Sequence, residues 1–160
     1  MALLKCSVSM ASVVTLGNSG GWKTLLFLTV PAHIRAIIDS FGVFPMGVTN
    51  TNPAIQCRLI KASGVGTGGT SITVAKTSSE FAEVPATAGF VCKSATFTGE
   101  PTPTGIQLSY KNVHPQGGAD WPTFERGAIQ VGGGETILLQ YNNDGGGASI
   151  TCGAEIDFEY

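Results

Sequence analysis

Residues 149–160 alternate without a break. Ile150, Cys152, Ala154, Ile156, Phe158 and Tyr160 fall on one side, and Ser149, Thr151, Gly153, Glu155, Asp157 and Glu159 on the other. Successive side chains of a strand point to opposite faces, whereas a helix repeats about every 3.6 residues. This run therefore admits only a β-strand, with one face in a core and the other acidic and wet. Residues 135–141 alternate in the same way, Ile137, Leu139 and Tyr141 against Thr136, Leu138 and Gln140. Between them stands Asn142-Asn143-Asp144-Gly145-Gly146-Gly147, all residue types that tolerate the positive φ of tight turns. The pattern predicts that the last stretch, about 25 residues, forms a β-hairpin.

Upstream, Ile106, Leu108 and Tyr110 alternate with Gln107, Ser109 and Lys111, and Ile55, Cys57 and Leu59 with Gln56 and Arg58. Segments 22–30 and 34–44 are partly apolar on both faces, as central strands are, and Pro31-Ala32-His33 turns between them. Segments 71–75 and 95–98 are shorter candidates, and 76–90 reads as a helical turn or a loop. No dozen-residue window carries a helical period with caps, and 22 Gly and 8 Pro punctuate the chain at short intervals. About eight strands without helices imply an all-β fold, and a jelly-roll-like sandwich of antiparallel strands fits the number and length. One such domain over 21–160 is expected, with 1–20 as an N-terminal arm or first strand whose apolar residues must be buried somewhere. No internal repeat points to a propeller or solenoid.

Charge narrows the function. Only 12 % of residues are charged, against about 25 % in ordinary soluble domains. Such a surface suits a chain that covers much of itself with copies or a partner. The nine basic residues are scattered singly, so the basic stripe of a nucleic-acid binder is missing. No stretch approaches the roughly 20 apolar residues that span a bilayer. Cys6, Cys57, Cys92 and Cys152 form no C-x-x-C pair, and their long irregular gaps fit neither zinc nor a small disulfide scaffold. Buried reduced thiols are expected.

Catalytic patterns fail on inspection. Gly17-Asn18-Ser19-Gly20-Gly21-Trp22-Lys23-Thr24 approaches a phosphate loop, but an indole stands where glycine must let backbone amides reach phosphate, and a strand follows rather than a helix. His33 and His114 lie far apart beside prolines, with no nucleophile placed near them and no H-x-H pair for a metal. Glu155, Asp157 and Glu159 share a strand face, which reads as a solvated face that discourages edge pairing rather than a glycosidase pair. Asn142, Asn143 and Asp144 lack the spaced acids of a calcium loop. Trp22, and Trp121 with Phe124, are candidates for a sugar-stacking platform, although core packing is the commoner role for such residues. No catalytic, cofactor-binding or metal-binding residue is assigned, and no enzyme activity or cofactor is expected.

The run Val113-His114-Pro115-Gln116-Gly117-Gly118, then Trp121-Pro122-Thr123-Phe124-Glu125, Ile129-Gln130-Val131-Gly132-Gly133-Gly134, Leu138 and the closing Ala154-Glu155-Ile156-Asp157-Phe158-Glu159 resembles the small capsid decoration, or cement, proteins of tailed bacteriophages. Gly21-Trp22-Lys23-Thr24-Leu25-Leu26 followed by Val30-Pro31-Ala32 and Arg35-Ala36 is similar to their opening. The likeness runs from about Gly21 to Tyr160. It implies a jelly-roll head protein, made in the host cytoplasm, that sits as a homotrimer on the outer surface of the virion. There it would clamp the major capsid protein against internal pressure. It carries over no catalytic residue. A carbohydrate-binding β-sandwich on a virion or fibre is the alternative.

Overall fold

In the computed structural model the described residues are 4–10, 12–16, 21–46, 55–77, 89–114, 119–122, 129–143 and 149–160, with the backbone alone for Leu16 and 119–122. Among them are thirteen strands and no helix. In chain order they are β1 (Lys5–Ser9), β2 (Val14–Leu16), β3 (Lys23–Thr29), β4 (Ala36–Met46), β5 (Ile55–Ala62), β6 (Thr67–Ile72), β7 (Ala75–Lys76), β8 (Val91–Gly99), β9 (Pro103–Val113), β10 (Ala119–Pro122), β11 (Ile129–Val131), β12 (Thr136–Asn142) and β13 (Ile150–Glu159).

They form two antiparallel sheets. Sheet A runs β10-β4-β13-β1-β7, with β11 also lying along β4 and β2 along β13. Sheet B runs β6-β8-β3-β12-β5-β9. The pairings are nested. The opening stretches β1 and β2 pair with the last strand, β13. Within them β3 pairs with β12, β4 with β10 and β11, and β5 with β9. Successive nested pairs alternate between sheets A and B, which is the jelly-roll path. The expected fold class holds, and about eight strands are its basic count once β1 with β2, and β10 with β11, are each taken as one. Strands β6 to β8 are an insertion between β5 and β9 that widens both sheets.

The expected terminal hairpin does not form. Strand β12 lies in sheet B between β3 and β5, and β13 in sheet A between β4 and β1. The Asn/Gly link therefore crosses between sheets instead of turning within one. Alternation identified both strands, but it cannot tell a turn within a layer from a crossing between layers, since either gives each strand one inward face. The same holds for β3 and β4, whose link holds Ile34 N–H on Pro31 C=O at 3.0 Å.

Ile150, Cys152, Ala154, Ile156 and Phe158 of β13 are buried against Ile137, Leu139 and Tyr141 of β12, Leu25, Leu26 and Leu28 of β3, and Cys57 and Leu59 of β5. Full burial of a side chain of this size contributes about 1.5–3 kcal/mol, so this inter-sheet layer dominates the stability. Phe90 closes one end of it, its ring centroid 5.2 Å from Phe158 and 4.9 Å from Tyr160. The opening segment contributes Cys6 and Val8 to the same core. Those apolar side chains thus need no outside partner.

Candidate functional site

The outer faces of the two sheets carry whatever the chain presents to others. On sheet B, Leu138 pairs with Phe27 and Ile60, and all three are buried although they alternate with core residues. Their cover is the insertion: after pairing with β3, β8 carries Phe97 over Phe27, ring centroids 6.5 Å apart. The chain then crosses the sheet. Glu100 Oε2 accepts the Thr24 N–H at 2.9 Å on one side, and Thr102 C=O accepts the Ser63 N–H at 2.9 Å on the other.

Next to this strap lies the row Thr24, Gln140, Arg58 and Tyr110, one residue from each of β3, β12, β5 and β9. Gln140 Nε2 donates to Thr24 Oγ1 at 3.1 Å, and its Oε1 accepts from Arg58 Nε at 3.0 Å and Nη2 at 2.8 Å. The guanidinium lies over the Trp22 ring, 3.9 Å from its centroid, and Tyr110 meets Trp22 edge-on at 6.1 Å. Two donors on one acceptor and an indole face hold the cation flat. No carboxylate bridges it among the described residues, and burial lowers its pKa from the ordinary guanidinium value. The Trp22 face is thus occupied by a cation, which argues against sugar stacking there. Trp121 and Phe124 have side chains outside the described residues.

Sheet A presents a divided face. Along β13 the outward positions are Thr151, Gly153, Glu155 and Asp157. Phe44 lies opposite Gly153, and a Cβ on that glycine would stand 3.7 Å from a Val13 methyl. Phe44, Val13 and Met46 are 37 %, 47 % and 56 % exposed around this bare floor. Further along, Ser7 Oγ donates to Glu155 Oε1 at 3.0 Å and Ser40 Oγ to Asp157 Oδ2 at 2.7 Å. These acids, with Lys5, Ser40 and Thr77, border a concavity of about 330 Å³ that reaches edge strand β7.

Two details depart from the sequence reading. The acidic strand is central rather than an edge, so its acids do not guard an edge. Glu159 is not wet: it is 2 % exposed and pairs with Lys5 at 3.3 Å. The other residues singled out stay apart. His33 is exposed in the β3–β4 turn, while His114 follows β9 at the opposite end of the sandwich. Lys23 of the glycine-rich run is on β3, and residues 17–20 lie outside the described ones, as do 78–88 of the unassigned segment and Asp144. The four cysteines are buried and unbridged, and burial pushes the thiols of Cys57, Cys92 and Cys152 up to about 12. Thiols so far from ionisation are packing groups rather than nucleophiles.

The charges sort by sheet. All five acids that lie in strands (Asp39, Asp120, Glu155, Asp157, Glu159) are in sheet A, and five of the seven strand bases (Lys23, Arg58, Lys61, Lys93, Lys111) are in sheet B. Nothing in the sequence alone showed this, because the sorting follows from which strand enters which sheet.

No protein-family profile and no curated protein matches the chain. Among solved structures, infectious bursal disease virus of the Gt strain matches at 15 % identity over 99 % of this chain, TM-score 0.23. The Gx strain matches at 14 % over 97 %, TM-score 0.19, and the VP2 subviral particle of that virus at 11 % over 97 %, TM-score 0.21. The chain spans 40 %, 42 % and 41 % of those chains. Superpositions this loose establish no common fold, so the jelly roll is assigned from its own strand order.

Proposed function

We propose that this chain is a structural virion protein, a decoration or cement protein that binds the outer surface of a tailed-phage head as a homotrimer and stabilises the shell. The observation that carries this reading is the apolar surface of Val13, Phe44 and Met46 around Gly153, displayed on a chain unusually poor in charge. Exposed apolar area of this kind belongs to a contact between proteins rather than to a catalytic cleft. The jelly roll, a fold used by viral capsid domains, and the block-by-block resemblance of residues 21–160 to decoration proteins support the same reading. Fold alone would not, since lectins and cupins share it.

Co-sedimentation with expanded, empty tailed-phage heads tests it. Saturable binding that raises the temperature at which the heads rupture is expected. Phe44→Ser combined with Met46→Ser should weaken binding about tenfold, the loss of roughly 1.4 kcal/mol of apolar contact. Absence of binding to heads, together with selective retention on a glycan array, would replace this reading with the carbohydrate-binding one.

A further inference from the structure

The two outer faces are electrically unlike, and each carries a built feature that the described residues leave uncompensated. On sheet B, Arg58 is immobilised between Trp22 and Gln140 with Tyr110 beside it, 39 % exposed, and among the described residues no carboxylate pairs with it. Arginine, tryptophan and tyrosine are the residue types that dominate interface energetics, because they bury large area at small entropic cost. Gln140 takes Nε–H and one Nη2–H, and among the described residues Nη1 has no hydrogen-bond acceptor of its own. On sheet A, Glu155 and Asp157 border a concavity and, among the described residues, accept only from serine hydroxyls, Lys5 pairing with Glu159.

We propose that copies of this chain associate head to tail, the Arg58–Trp22–Tyr110 surface of one copy docking on the Glu155–Asp157 surface of the next. This rests on the assembly reading above and names the contact. The partner is a second copy because the complementary charge is on the chain itself: among the described strands sheet B holds no acid and sheet A holds all five, and the two carboxylates flanking sheet B are engaged, Glu100 by the Thr24 N–H and Glu135 by Lys61 and the Gly132 N–H. Both surfaces reach an edge strand, β9 for Tyr110 and β7 for the concavity. The contact joins unlike surfaces, so it closes into a ring or propagates, as heterologous contacts do. A like-with-like dimer through either face would set cation against cation or acid against acid.

Light scattering across a concentration series reads the mass directly. The wild-type chain is expected to associate at low salt and to fall at least tenfold in association constant between 0.05 and 1 M salt, as the Debye length shortens from about 14 Å to about 3 Å and screens the paired charges near the surface. Arg58→Glu should abolish association, and so should Glu155→Arg with Asp157→Arg. The triple variant carrying all three reversals should restore it, since every contact is then swapped rather than lost. Circular dichroism on each variant separates misfolding from lost contact. Tyr110→Ala, at an exposed position, gives a milder second probe with a several-fold loss expected. A wild-type monomer at every concentration, an association indifferent to the Arg58 reversal in a folded variant, or a folded triple variant that stays monomeric overturns the proposal. Head binding is read separately: a monomer that still sediments with heads sinks this contact and leaves the decoration role standing.

Discussion

At the scale of single residues, the tightest constraints are close backbone approaches. Gly133 sits in the turn before β12, where a Cβ would collide with the Ala32 carbonyl oxygen and stand 3.0 Å from the Ile34 oxygen. Two backbones cannot both yield, so Gly133→Ala should cost about 1–3 kcal/mol, the range for overpacking. Thermal unfolding would show it as a lower midpoint, and an unchanged midpoint would mean that the turn is not pinned as described. Glu135 holds the same corner. Its Oε1 takes Lys61 Nζ at 2.6 Å and its Oε2 the Gly132 N–H at 2.7 Å, contacts that lower its pKa, the Lys61 hydrogen bond most. Being partly exposed, the ion pair itself contributes at most about 1 kcal/mol.

At the scale of elements, the strap between β8 and β9 decides which residues of sheet B are wet. Phe97→Ala would uncover Phe27, Leu138 and Ile60. The expected loss is about 1–2 kcal/mol, below the 3–5 kcal/mol of a fully buried phenylalanine because Phe97 is only half-buried. Dye binding by the exposed cluster should rise with it, and a silent substitution would show that the strap is not the cover. The strap also marks the boundary of what the sequence could say. Period two in 149–160 and 135–141 revealed strands, and the apolar character of 22–30 and 34–44 revealed that both are central. Yet Leu138 and Gln140 occupy outward positions and are buried, because the β6–β8 insertion folds over Leu138 while Arg58 closes on Gln140. Alternation reports on the strand's own pleat and is blind to what crosses above it. The Arg58 row was hidden for a related reason: its members come from four strands, and only the register brings them side by side. Its one trace in sequence is a polar residue, Thr24, Arg58 or Gln140, set inside an apolar run.

At the scale of the whole molecule, four buried thiols make stability depend on alkaline pH. Burial raises Cys6 from 9.0 to about 11, and Cys57, Cys92 and Cys152 to about 12. In the unfolded chain they would ionise near 9, so above that pH the unfolded state sheds protons that the folded state keeps. Stability is therefore fully present below about pH 9 and falls as pH rises toward 12, each thiol costing up to about 1.4 kcal/mol per pH unit. Urea midpoints should be level from pH 7 to 8.5 and drop steadily by pH 10.5. A level profile throughout would mean that water reaches the thiols.

The nested pairing has a consequence in time as well as in space. Sheet A is completed only when β13 slides between β4 and β1, so its central strand is supplied by residues 150–159 while its neighbour is supplied by residues 5–9. Contacts spanning so much of the chain carry a high contact order, and folding of such topologies is slow. During synthesis, a ribosome that has added everything up to residue 149 holds a chain whose β1 and β4 both wait with open edges for the same missing strand. Until it emerges, those edges are free to pair with another nascent chain, and crowding on a polysome sets how often they do.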